Sequence, residues 1–312
     1  MLNRRFLRVK VLQALFAYFS DQDEAIGKYE RDMVQSFNRL EDLYALLLYF
    51  FVELREIAVN KIEEGKKKQL PSPEDLNPNT KFIDNKALKA LADSKTLLYF
   101  MEDRKLGWAE ERNLIREIMN SVREEDFFTE YMNRPEGDWS EDIDILLQIF
   151  ENYFRENERL LDIFEGKSIY WVDDMMIASL AMARSLRALS KGKGLRMEDL
   201  FKDPTDKDFA IDLFRKTALH SDRFEQMIVQ RTSNWEKDRI ALMDMILMKM
   251  ALAEFLYAET VPVKVTLNEY IELSKEYSTE KSKMFINGVL DKLINDLQKD
   301  GSIKKMGRGL IG

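Results

Sequence analysis

Few side chains in this sequence could do covalent or acid–base chemistry, and none stands in a catalytic pattern. There is no cysteine, which removes disulfides, zinc thiolate sites and cysteine nucleophiles. His220 is the single histidine, so any Ser-His-acid triad or imidazole metal site would rest on it alone. Glu269 and Glu272, three apart on an expected helix, could share a face as paired carboxylates do, but so do ordinary solvated helix acids. "EGKS" (165–168) resembles the end of a phosphate-binding loop, yet Leu161 stands where that motif needs its first glycine. No GxGxxG occurs. The residues point away from catalysis, metals and cofactors, and toward binding.

Binding chemistry is concentrated at the two ends. Arg4 and Arg8 are four apart and continue the stripe of Val11 and Leu15, with Arg5 beside them. Side chains at that spacing lie about 5–6 Å apart, which suits neighbouring phosphates. A helix N-terminus adds its own donors and the positive end of its dipole. Near the other end, Lys281 and Lys283 accompany Phe285. An aromatic beside cations can stack on unpaired bases, although helical spacing alone would favour Phe285 as a core residue. Net charge is −8, but residues 1–20 and 301–312 hold seven cations and no acid. Taking those seven from the 48 bases leaves 41 against 56 acids, so basic ends flank an acidic body.

The stretch "ALMDMILMKMALAEFLY" (241–257) carries only three charges, Asp244, Lys249 and Glu254, each five residues from the next. A helix apolar on nearly all sides is a central one. Two of its charges are expected at the rim, with one left to face a binding partner, because buried unpaired charge is costly.

Low glycine and proline content with i, i+3, i+4 spacing throughout predicts an all-α chain. A long pattern runs from about 28 to 64 as one helix or two. A proline-rich loop follows at 65–82, and amphipathic pieces lie near 85–103, 108–121, 139–165 and 171–190. "KDPTD" (202–206) marks a helix start, and 207–298 is almost continuously helical, broken near Asn234 and at 259–262. "TEKSKMFINGVLDK" (279–292) contains the hairpin dipeptide Asn287-Gly288, but its apolar residues keep helical spacing. It therefore reads as a helix capped by Ser278, with Gly288 admitting the close approach of another backbone. A shift of 64 residues superposes Phe150 on Phe214, Leu160 on Phe224, Trp171 on Trp235 and Asp174 on Asp238, an echo that suggests a repeated helix pair. The longest apolar runs, such as 43–52, are ten residues against about 20 for a membrane span. With no secretory cleavage pattern in residues 1–20, a cytoplasmic location without membrane contact is expected.

Several of these stretches together resemble the NusB family of bacterial transcription antitermination factors. They are "RRFLRVKVLQALFAY" (4–18), "DLFRKTALHSDRFEQMI" (212–228), "NWEKDRIALMDMILMKMALAEFL" (234–256) and "VPVKVTLNEYIELSKEYSTEKSKMFINGVLDKL" (261–293). The resemblance implies two helical subdomains. The N-terminal one (1–231) is family-like at 1–20 and 205–231 and enlarged by an insert at about 21–204. The C-terminal one covers 232–300, and a basic tail follows at 301–312. It further implies a non-enzymatic protein that binds boxA-type single-stranded RNA with the ribosomal protein NusE, within the RNA polymerase antitermination complex. Arg4, Arg5, Arg8, Lys281, Lys283 and Phe285 would then lie at the RNA, and Asp244 and Asp238 at the protein partner. Lys281 departs from the family, where an acid is common, and a homodimer is compatible with the pattern. An RNA cytosine methyltransferase, the enzymatic relative with a similar domain, would need a glycine-rich Rossmann-type segment and catalytic cysteines that are missing here. A helical adaptor that keeps its protein partner but has lost RNA is the remaining alternative.

Overall fold

The computed structural model describes residues 2–21, 25–135, 137–155, 157–189, 194–232 and 240–310, with the side chains of 308 and 309 excepted. Among them the chain is all-α, without a strand. In order the helices are α1 (Arg4–Ser20), α2 (Ile26–Lys66), α3 (Pro73–Leu76), α4 (Lys81–Asp84), α5 (Lys86–Ala92), α6 (Lys95–Asp103), α7 (Arg112–Glu124) and α8 (Asp126–Asn133). They continue with α9 (Trp139–Tyr153), α10 (Glu158–Lys167), α11 (Trp171–Leu189), α12 (Thr205–Leu219), α13 (Ser221–Val229), α14 (Leu242–Tyr257), α15 (Val263–Tyr277) and α16 (Glu280–Lys299). Two compact units emerge, one of Phe37–Leu200 and one of Leu2–Ser36 with Phe201–Gly312. The long 28–64 pattern is a single helix, α2, whose residues are shared between the two units. The short helices α3 and α4 interrupt the expected loop at 65–82, and α8 is a helix that the spacing did not mark.

The 37–200 unit is packed on aromatics. Phe50 sits 4.6 Å from Phe154 and 6.1 Å from Trp108 between ring centroids, and Phe164 lies 5.7 Å from both Trp108 and Trp171. Buried indoles need an acceptor. Trp108 donates to the Leu46 carbonyl at 3.1 Å and Trp171 to the Arg39 carbonyl at 2.7 Å, both on α2.

In the other unit α14 is the central helix, in contact with α1, α12, α13, α15 and α16. Its three charges do not reach a rim. Asp244, Lys249 and Glu254 are all buried, and each is answered inside the unit. Lys249 donates to Glu225 and Ser221, both at 2.8 Å, Glu254 meets Arg8, and Asp244 accepts from the Ser278 hydroxyl. Five surrounding helices enclose α14 between its ends, so partners for its charges come from its neighbours.

Asn287-Gly288 lies within α16 and not in a hairpin. The helix is capped one residue later than expected, by Thr279, whose side chain accepts from the Ser282 amide, because the Ser278 hydroxyl is engaged by Asp244. Gly288 is exposed, and a Cβ built there would meet nothing within 4 Å, so no close backbone approach explains it. The 64-residue echo falls on helix pairs, α9–α10 and α12–α13, with Phe150, Leu160, Phe214 and Phe224 all buried. Trp235 and Asp238 lie outside the described residues.

Candidate nucleic-acid interface

The N-terminal arginines are placed by α1, whose start is capped by Asn3 accepting from the Phe6 amide at 3.1 Å. Leu7, Val11, Leu12 and Leu15 anchor the helix in the core and leave its first turn at the surface. Arg4, Arg5 and Arg8 line a cleft of about 750 Å³ whose other wall includes Val261, Pro262 and Val265.

The three arginines have different fates. Arg5 is the most open, with 43% of its side chain exposed, and makes a two-pronged pair with Glu269 at 3.0 Å on both prongs. Arg4 donates to Asp206 at 3.1 Å and rests 4.8 Å above the Phe209 ring. Arg8, expected at the phosphates, is instead 2% exposed. Its guanidinium donates to Glu254 (Nε to Oε2, 2.8 Å), which also accepts from Thr266 at 2.8 Å and Tyr270 at 3.1 Å. Burial by itself would lower the Arg8 pKa, but the Glu254 charge and hydrogen bond outweigh it and hold it above the ordinary arginine value. Burial, then Glu254, raises the Tyr270 phenol well above its usual range. Arg8 is thus a clamp between α1, α14 and α15, because its fork matches the carboxylate and the core excludes water.

At the other expected contact, Lys281 and Lys283 are exposed on the first turn of α16, Phe285 is half-buried, and Met284 between them is 73% exposed. The structure relates this group to Arg5 through α15. The Glu272 carboxyl is held below its usual range first by a hydrogen bond from Lys275, and further by the charges of Arg5 and Lys283. Glu272 therefore lies within electrostatic reach of both cations. Glu269 and Glu272 serve there as counter-ions.

Asp244, expected at a protein partner, faces inward, where it closes the junction of α15 and α16 through Ser278. Its place in the first turn of α14 favours an acid, since Ala241 offers no capping side chain. Asp238 lies outside the described residues. In the basic tail, Lys305 is half-buried and donates to the carbonyls of Glu254 (3.1 Å) and Ala258 (2.8 Å), capping the C-terminus of α14. Lys304 beside it stays exposed. Sequence reasoning missed Phe209 and Asp206 beneath Arg4, which only the packing of α1 on α12 reveals. The Thr266/Tyr270 pair at i, i+4 was a readable signal of a shared partner.

The NusB family profile matches residues 175–295, from within α11 to α16. Over 113 residues the chain is 45% identical to "Transcription antitermination protein NusB" of Salinibacter ruber, a stretch that is 36% of this chain and 71% of the relative. A protein of the same name from Chloroherpeton thalassium is 40% identical over 119 residues, 38% of this chain and 56% of that relative. The matched segment holds the central α14, its neighbours α12, α13 and α15 and the "FINGVLDK" face of α16, and most of Phe37–Leu200 is additional to it. The chain belongs to the NusB family.

Proposed function

We propose that this protein is a non-enzymatic, RNA-binding transcription antitermination factor, holding boxA-type single-stranded RNA together with NusE so that polymerase reads through terminators in ribosomal RNA operons. The observation that supports the reading is that Arg5 and Lys283, far apart in sequence, both act on Glu272 of α15, within the unit that holds most of the family match. Arg4, Arg5, Lys281 and Lys283 supply phosphate contacts and Phe285 a stacking surface. Arg8 supports them from beneath, by fixing the first turn of α1. The complex forms in the cytoplasm; among the described residues no helix is long and apolar enough to cross a membrane. Asp244 serves the protein partner indirectly, by setting the α15–α16 junction. Asp238 is the direct contact proposed for NusE. Most of the insert expected at about 21–204 elaborates this family frame, and its last stretch, from 175, falls within the family match.

The test is anisotropy of a labelled boxA-type RNA, with and without NusE, against a scrambled RNA. Tightening by NusE with a logarithmic salt slope of about −2 to −3 is expected for three or four phosphate contacts on a single strand. A slope near zero would remove the arginines and lysines from the contact. One observation favours a second reading, an adaptor that binds protein and not RNA: Arg4 and Arg5 are already matched by Asp206 and Glu269. That reading predicts NusE binding with no RNA dependence.

A further inference from the structure

The 37–200 unit carries a charge that its own packing leaves unanswered. Arg123, in the last turn of α7, is half-buried, and among the described residues no acceptor lies within hydrogen-bond or ion-pair reach of its guanidinium. Burial pushes its pKa down with no carboxylate to restore it. Arg5, Arg8, Arg184 and Arg215 all shift upward, each beside a paired glutamate. A cation near the C-terminal carbonyls of α7 recovers part of this cost through the helix dipole. The rest stays uncompensated.

Two further groups face the same place. Lys61, near the end of α2, donates to the Asn120 side-chain oxygen at 3.0 Å. Asn120 lies one turn before Arg123 on the same face of α7, and its amide nitrogen remains as a donor. Lys61 is pushed down by burial and then by the positive charge of Arg123, against Glu124, with Lys68 adding to the repulsion. Lys68 is held by Asp75 at 2.8 Å and sits at the edge of the group. The ammonium of Lys61, the amide of Asn120 and the fork of Arg123 are three kinds of donor with one missing acceptor.

We propose that Lys61, Asn120 and Arg123 form a phosphate site that takes a backbone phosphate of single-stranded RNA; the choice of RNA rests on the function proposed above. A guanidinium fork matches two phosphate oxygens, and lysine adds a point charge. Phosphate contacts fix position and affinity and do not read sequence. All three residues lie in the 37–200 unit and outside the matched segment 175–295.

The experiment titrates polyuridylate with the full chain at several salt concentrations, comparing wild type with Arg123→Gln, Lys61→Gln, Arg123→Lys and the double change Arg4→Gln/Arg5→Gln. Arg123→Gln and Lys61→Gln are each expected to weaken binding about tenfold at low salt. Each should also make the logarithmic salt slope shallower by about 0.7. Arg123→Lys should keep the slope and lose only part of the affinity. Without RNA, Arg123→Gln should unfold no earlier than wild type, because it removes an unanswered charge. Wild-type affinity and slope in both glutamine variants would overturn the site. If Arg4→Gln/Arg5→Gln weakens binding while those variants do not, this inference falls alone. If wild type does not bind polyuridylate or boxA-type RNA, the site and the RNA reading fall together. Lys61 is exposed, so its variant keeps the test valid if Arg123→Gln does not fold.

Discussion

The two compact units bury their interiors in different ways. In the unit built around α14, charge is taken inside and fully answered: Glu254 accepts from Arg8, Thr266 and Tyr270, and Lys249 is held by Glu225 and Ser221. In the 37–200 unit the interior is a run of aromatic rings, from Phe50 through Trp108 to Trp171. There, oxygens of Asp42, Glu53 and Glu111 are buried without a hydrogen-bond partner. Answered buried charge fixes helix registers, since only one arrangement pairs every group. Aromatic packing tolerates volume-conserving change and specifies less. The difference teaches that the first unit is built to hold α1 and α15 in one relative position, which is what a surface spanning both requires.

The comparison breaks most sharply at Glu254. Glu254→Ala leaves Arg8 in the core with Glu269, at 3.6 Å, as its remaining carboxylate, and should cost about 3–5 kcal/mol in denaturant unfolding. Replacing Arg8 and Glu254 together by Met and Leu should cost much less. Equal losses for the single and double changes would show that packing, not pairing, holds α1 there. In the aromatic unit, Phe154→Ala should cost about 3–5 kcal/mol and Phe154→Leu far less. A large loss from the leucine variant would mean that the aromatic unit is as finely specified as its counterpart.

A gain is expected at Gly288. Alanine there meets open space and should stabilise the fold by about 1 kcal/mol in thermal or denaturant unfolding. If the same variant weakens RNA or NusE binding, the open glycine serves a partner's approach.

The smallest effects are pH-dependent and opposite in sign. Burial and Glu56 raise the Glu53 carboxyl, outweighing Arg112. The folded state therefore keeps that proton longer than the unfolded chain, and stability falls as pH rises from about 4.3. Glu53→Gln should flatten this fall in unfolding midpoints measured between acid and neutral pH. His220 is shifted down by burial, then by Lys216 and Arg223. The unfolded chain binds its proton first, so stability is full above about 6.5 and is lost as pH drops through that value, levelling once the folded histidine also protonates. Its ring signal in NMR should titrate below about 6.5, and a midpoint above that value would contradict the stacking of His220 on Tyr257 and the nearby cations.

By itself the sequence determined the helical class, the central place of α14 and the helical character of "FINGVLDK". Each depends on the period of apolar residues, which is local and sets which face is buried. It also determined that basic ends flank an acidic body, since charge counts need no coordinates. Only the tertiary structure decided what each cation meets. Arg4, Arg5 and Arg8 are alike in sequence, yet Arg8 is a buried clamp, Arg4 rests on Phe209, and Arg5 stays open. Their partners Glu254, Asp206 and Glu269 lie more than two hundred residues away. Lys305 and Asp244 changed roles for the same reason: one caps α14, and the other closes the α15–α16 junction. Pairing energies depend on distance and burial, and those are set when helices remote in sequence pack together.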